Sequence, residues 1–405
     1  MKKNKKNKKW IKFRHGVIRN ILYGTLGVYT RIKYRIKIER FKGQQKRPYL
    51  VLFNHQTAFD QFFVGMAFKG PVYYMASEDL FSNGFTSSLI RYLVAPIPIK
   101  KQTVDVRAII NCMSVAKEGG TIAIAPEGNR TFSGQTEYMN PSIAVLARKL
   151  GMPIALYRIE GGYGVHPRWS DVVRRGKMRG YVSEVIYPEE YETLTNEELS
   201  DRISQALYVN EAVADEEFHH PKLAEYLERA IYYCPHCGLS EFESCGDVIE
   251  CKKCGSRVRY TPKKELEGIN CDFPYRFVLD WYRAQADFTN KLNVTEYKEE
   301  PMYEDVVSLY EVVPYKNKRL ISQNAKMTLF GNRIHIGMQN EDIIFSFDET
   351  SAVTILGKNK LDVYEGKKIY QIKGTKRFNA LKYVHIYNRY KNIVKGEEDV
   401  KFLGL

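Results

Sequence analysis

The sequence predicts an α/β domain on a largely parallel sheet, then a small cysteine module, then an all-β domain capped by one helix. Three observations carry this. Between residues 30 and 200, short β-branched or apolar runs alternate with helix-like segments, the texture of strands joined by crossover helices. Four of the seven cysteines form two C-x-x-C pairs, Cys234/Cys237 and Cys251/Cys254. From about residue 303, seven short strand-like runs are separated by turn signals and followed by a helical stretch.

The first segment, residues 1–29, belongs to a strongly basic end. Met1 to Arg47 holds 17 lysines and arginines against one acid, Glu39, and the remainder has 45 bases and 46 acids. The net charge of +15 therefore sits at one end. Arg19 and Asn20 interrupt the best apolar stretch, so no spanning helix is expected, and no secretory cleavage site follows it. Trp10, Phe13, Val17 and Ile21 recur at helical spacing among Lys12, Arg14 and Arg19. This is the pattern of a basic amphipathic helix lying on an anionic membrane leaflet, where each basic side chain adds about 1 kcal/mol. It places the chain on the cytoplasmic face of a membrane, peripheral or monotopic. A solvated lysine tail or a nucleic-acid arm is the alternative.

Residues 30–215 form the α/β domain. Its strand candidates are "YRIKIERF", "YLVLFN", "VYYMAS", "APIPIK", "GTIAIAP", "MPIALYRI" and "RGYVSEVIY". Helical patterns such as "QFFVGMAF", "VDVRAIINCMSVAKEG" and "NPSIAVLARKLG" lie between them, and Thr195 with Glu198 caps a terminal helix. Cys112 falls on one of these helices as a small core residue.

Two strand ends carry the residues of chemical interest. In "FNHQTAFDQF", His55 and Asp60 lie five apart where an apolar run stops. Across a strand-to-helix turn that spacing brings a carboxylate behind an imidazole. Asp60 then binds Nδ1–H and leaves Nε2 to take a proton from a bound hydroxyl. Alone, the pair also reads as a capping aspartate beside a surface histidine. The second end, "IAIAPEGNRTFSG", places Glu127, Gly128, Asn129 and Arg130 in a glycine turn. Strand ends of such sheets converge on one edge, so Glu127 and Arg130 share a cleft with His55, and Arg130 suits a phosphate.

Together these stretches resemble the 1-acylglycerol-3-phosphate acyltransferase family, with signatures N-H-x-x-x-x-D and F-P-E-G-T-R-S, here "NHQTAFD" and "APEGNRT". The resemblance covers roughly residues 30–210. It implies a membrane-associated enzyme that moves a fatty acyl group from acyl-coenzyme A or acyl-carrier protein to the hydroxyl of a lysophospholipid, lysophosphatidic acid by default. On that reading His55 is the general base, Asp60 orients it, and no acyl-enzyme forms. Asn54, Lys101, Glu127, Gly128, Asn129 and Arg130 would hold the acceptor. The chain departs from the family at Lys101, where an arginine is usual, at Ser77 in "ASEDL", at Asn129 and at Leu156. The catalytic pair is thus intact while the acceptor-binding set is altered.

The cysteine module, residues 230–262, resembles a zinc ribbon. "CPHCG" and "CKKCG" are two knuckles, and four thiolates from Cys234, Cys237, Cys251 and Cys254 make a closed, structural zinc site, with iron or a redox dithiol pair as the alternative. His236 and Cys245 are left outside it. An aromatic amphipathic linker spans 270–300, and residues 301–405 resemble a pleckstrin-homology or GRAM-like domain. There Phe378, Leu381, Val384 and Tyr387 recur every three residues and would plug a bent sheet, while Lys316, Lys318 and Arg319 would meet headgroups. Two other function classes remain. One is a non-catalytic lipid- or protein-binding scaffold on the same fold. The other is a nucleic-acid-binding ribbon protein, which the acids Glu241, Glu243, Asp247 and Glu250 disfavour.

Overall fold

The computed structural model describes residues 9–100, 105–213, 215–313, 316–338 and 341–397. Two helices lead in, α1 (Phe13–Gly24) and α2 (Leu26–Tyr34). The strands β1 (Ile36–Ile38), β2 (Leu50–Phe53), β3 (Val72–Ser77), β4 (Ile97–Ile99), β5 (Thr121–Ile124), β6 (Ile154–Glu160) and β7 (Met178–Ile186) form one sheet. Its order is β1-β7-β6-β2-β5-β3-β4, and every pairing is parallel except β6 with β7. The helices α3 (Asp60–Ala67), α4 (Gly84–Val94), α5 (Val106–Lys117), α6 (Ser142–Leu150), α7 (Gly162–Val165), α8 (Pro188–Tyr191) and α9 (Asn196–Leu207) connect and cover it.

The period-2 alternation of a strand explains the layering. Leu50 and Leu52 of β2 share a buried cluster with Cys112, Val115, Ala144, Leu199 and Ile203 of α5, α6 and α9. Val51 and Phe53 face the other way, toward Phe63, Val64 and Ala67 of α3 and Tyr34 of α2. All four β2 residues are buried, as a central parallel strand requires. The expected cap of α9 is present: Glu198 N donates to Thr195 Oγ1 and Thr195 N to Glu198 Oε2.

The cysteine module adds β8 (Tyr233–Cys234), β9 (Gly238–Leu239), β10 (Phe242–Cys245), β11 (Val248–Cys251), β12 (Arg257–Tyr260) and β13 (Leu266–Gly268), and α10 (Val278–Lys291) follows. The last unit is a seven-stranded antiparallel, nearly closed barrel of β14 (Tyr303–Glu311), β15 (Arg319–Leu329), β16 (Arg333–Gly337), β17 (Ile343–Ser346), β18 (Thr350–Leu356), β19 (Lys360–Glu365) and β20 (Lys368–Gly374). It is capped by α11 (Leu381–Lys395), with Phe378, Leu381, Val384 and Tyr387 all buried. One cluster runs from Phe132 and Trp169 through Tyr232, Ile249 and Val258 into the barrel residues Leu309, Met327 and Ile372, so the units share a core.

Four expectations change in the folded chain. Trp10 precedes α1 and is tied to the protein, its Nε1–H donating to Ala95 O and its backbone N–H to Glu118, so it leaves the amphipathic register. The helix α4 has no counterpart among the sequence-read elements, because it opens on Gly84 at φ +53° and carries Thr86, Ser87 and Ser88. Lys318 and Arg319 pair with Asp79 and Glu311 and so do not stand free for headgroups. The strand β15 begins at Arg319, well before the "KMTLFG" run, because its polar first half lies on an exposed part of the sheet.

Candidate active site

The buried strand β2 ends at Phe53, and the next residues turn into α3, whose first residue is Asp60. Asp60 is fully buried, and its carboxylate is saturated with donors. Its Oδ2 lies 2.8 Å from His55 Nδ1 and accepts from Gln56 N, while Oδ1 accepts from Thr57 N and Thr57 Oγ1. This cradle fixes the carboxylate, and through it the imidazole. The His55 side chain keeps 26% of its exposure, and its Nε2 has no hydrogen-bond partner among the described residues. Burial pulls the His55 pKa below its ordinary 6.5 and outweighs the opposing pull of Asp60.

The sequence-expected neighbours arrive as a group, with roles that differ. Asn54 is buried against β6, donating to Ile159 O at 2.8 Å and accepting from Ile159 N at 2.7 Å. Glu127 also acts on backbone: Oε1 accepts from His55 N at 2.7 Å and Oε2 from Glu137 N at 2.8 Å. It therefore clamps the His55 loop to the strand end after β5. Burial pushes its carboxyl up to about 8, against the two N–H donors. Gly128 takes φ +68°, the left-handed conformation that glycine adopts freely. Asn129 and Arg130 are buried beside it. Arg130 Nη1 has no hydrogen-bond partner among the described residues. Lys101 lies outside the described residues.

The fold brings further side chains to this place. His166, 6% exposed, meets Tyr34 Oη through Nδ1 at 2.8 Å, and its Nε2 is without a partner among the described residues. Arg168 donates to Arg130 O and, across the domains, to Gly357 O, each at 2.7 Å. Gln56 accepts from Tyr163 N at 3.1 Å, and its Nε2 is likewise unpartnered among the described residues. No local pattern announces His166: its partner Tyr34 is 132 residues away.

The four cysteines also converge. Cys237 Sγ lies 3.6 Å from Cys234 Sγ and 3.8 Å from Cys251 Sγ, and Cys234 lies 3.7 Å from Cys254. All four sulfurs fall within 4.8 Å of one another, a cluster capable of holding a metal ion. None is in a disulfide, while Cys245 and His236 stand apart and Cys112 is fully buried on α5. Ser240 Oγ and Ser256 Oγ approach the sulfurs of Cys251 and Cys254 at 3.5 and 3.1 Å.

Comparison with curated proteins finds no match. Among solved structures, the chain is similar to the crystal structure of the 1-acyl-sn-glycerophosphate (LPA) acyltransferase PlsC from Thermotoga maritima. The identity is 22%, the match covers 48% of this chain and 78% of that one, and the TM-score is 0.41. A family model described as acyltransferase matches residues 35–159, the stretch that holds both His55–Asp60 and the Glu127–Arg130 turn. The amino-terminal α/β unit of this chain is thus an acyltransferase-family domain.

Proposed function

We propose that the chain is a membrane-surface acyltransferase that transfers a fatty acyl group from a thioester, acyl-coenzyme A or acyl-carrier protein, to the free hydroxyl of a lysophospholipid. Lysophosphatidic acid is the default acceptor. The observation that carries the reading is the 2.8 Å contact of His55 Nδ1 with a buried, saturated Asp60, which leaves Nε2 as the reactive nitrogen. His55 Nε2 takes the hydroxyl proton as the acceptor oxygen attacks the thioester carbonyl. The tetrahedral intermediate expels the thiolate, and the imidazolium returns the proton to it, giving ester and thiol. Asp60 holds the tautomer and steadies the transient imidazolium. Arg130 binds the acceptor phosphate, whereas Asn54 and Glu127 position the loop.

Membrane attachment is supported by two adjoining helix faces. Phe13, Val17 and Ile21 of α1 are exposed, Phe13 by 91%, and so are Phe85, Leu89 and Tyr92 of α4. Arg14 joins them, donating to Tyr92 O with its guanidinium 4.1 Å from the Tyr92 ring centroid. Among the described residues no helix is long and apolar enough to cross a membrane. A peripheral seat on an anionic cytoplasmic leaflet fits this surface and the basic end.

The cysteine cluster suits structural zinc. Zn–S bonds of about 2.3 Å in a tetrahedron set neighbouring sulfurs about 3.8 Å apart, close to the separations between these cysteines. Cys234, Cys237, Cys251 and Cys254 would hold the ion, which would brace the module and take no part in the acyl transfer.

The test is acyl transfer by full-length protein in detergent or on anionic vesicles, with both thioester donors against a panel of lysophospholipids. Product that disappears in a folded His55→Ala variant is expected. Absence of product with every pair, from folded protein, would favour the non-catalytic scaffold instead.

A further inference from the structure

Gln56 Nε2, Arg130 Nη1 and His166 Nε2 are buried and lack hydrogen-bond partners among the described residues. Buried donors are rarely left unpaired in native proteins, and these three lie near one loop, the Arg130 charge acting on both His55 and His166. Gln56 belongs to the His55 turn, and the ring of Tyr34, which holds His166, lies 5.5 Å from that of Phe59 in the same turn. Arg130 forms no ion pair among the described residues, and Asp60 is already committed to His55 and the loop. A ligand rich in acceptor oxygens would satisfy these groups.

The tautomer of His166 follows from its partner. Tyr34 is a phenol that burial holds in its protonated form, and Nδ1 is the one acceptor its O–H meets among the described residues, so Oη is assigned as the donor to Nδ1, which leaves the ring proton on Nε2. Burial, then the charges of Lys358, Arg130, Arg174 and Lys33, push the His166 pKa down to about 3. The ring is therefore a neutral donor set among cations. Part of that setting comes from the C-terminal barrel. Arg168 links Arg130 O to Gly357 O of the turn after β18, and the next residue, Lys358, binds Ser170 O and Asp171 on the acyltransferase side.

We propose that His166 is an acceptor-binding residue whose Nε2–H, aligned by Tyr34, joins Arg130 Nη1 in holding a phosphomonoester, beside Arg168 and the Gly357–Lys358 turn of the barrel. Identifying that phosphomonoester as the headgroup of the acyl acceptor rests on the acyltransferase reading; its binding does not. The excess of positive charge favours the dianion of a phosphomonoester over the single charge of a phosphodiester.

Calorimetry on the full-length protein tests this, with glycerol 3-phosphate as probe and glycerophosphocholine as the phosphodiester control. Wild-type protein should bind the first in preference to the second. His166→Phe should weaken binding about tenfold or more, the scale of one lost hydrogen bond to a charged group. His166→Gln, whose amide nitrogen reaches close to the Nε2 position, should retain most of the affinity. Unchanged affinity in a folded His166→Phe variant, or no binding by wild-type protein, overturns the proposal. If His166→Phe does not fold, Tyr34→Phe decides: it should weaken binding by freeing the tautomer, and wild-type affinity there counts against the proposal. Binding that depends on His166 without turnover toward any lysophospholipid would sink the acyltransferase reading and leave this one standing. Turnover with no dependence on His166 would do the reverse.

Discussion

At His55 two effects oppose each other: Asp60 favours the charged ring and burial disfavours it, and burial wins. Activity that requires the neutral base should therefore rise with pH through a midpoint below 6.5 and stay level above it. A profile of kcat/KM for the acceptor with its midpoint above 7 would contradict the assignment. Asp60→Asn puts an amide against donors the carboxylate now accepts and releases the tautomer. It should lower kcat by about two to four orders of magnitude, as loss of a general base does, with KM for the thioester little altered. The His55–Asp60 contact was legible because both residues lie in one ten-residue stretch. The backbone roles of Asn54 and Glu127 were not, since their partners lie 105 and 72 residues away.

Among the elements, the cysteine knuckles were readable from spacing alone, because C-x-x-C sets the geometry of one sulfur pair locally. How the module is seated was not. Trp281 of α10 donates to Tyr233 O at 2.7 Å, and its ring packs edge-on to Phe242 and Phe273. Zinc analysis should find one ion per chain, and chelation at neutral pH should release it and lower the melting temperature. Cys237→Ser should do the same, because three thiolates leave a structural site open. The helix α4 is not legible in the sequence because it opens on Gly84 at φ +53° and carries Thr86, Ser87 and Ser88 in its first turns, all weak helix formers. Phe85 is 82% exposed, so Phe85→Asp should leave stability within about 0.5 kcal/mol while weakening sedimentation with anionic vesicles. Unaltered vesicle binding would remove α4 from the docking surface.

Across the whole molecule, Arg229 is where the units meet. It is 2% exposed and pairs with Asp171 at 2.7 Å in the acyltransferase unit. It also donates to Trp169 O and to Lys376 O beyond the barrel's last strand, with its guanidinium 4.0 Å from the Tyr226 ring centroid. Asp171 is partly exposed and keeps Lys358 as a partner, so the cost of losing Arg229 falls on Trp169 O and Lys376 O, about 1–3 kcal/mol for a buried acceptor left unpaired. Arg229→Ala should lower stability by that much in denaturant unfolding. Arg229→Lys should recover little, since one ammonium cannot serve three separate acceptors in a planar fork. A cost under 1 kcal/mol for Arg229→Ala would show that the shared core alone holds the units together.

By itself, the sequence determined the order of units, the strand-helix alternation, the cysteine quartet and the pairing of His55 with Asp60. Each depends on residues close along the chain, where periodicity and spacing set geometry directly. Only the tertiary structure decided that Glu127 clamps a loop, that Trp10 turns inward, that Lys318 is tied to Asp79, and that a barrel turn braces the ground around Arg130. These contacts join residues tens to hundreds of positions apart. What selects them is the desolvation of polar groups in a common core, where each donor and acceptor must find a partner.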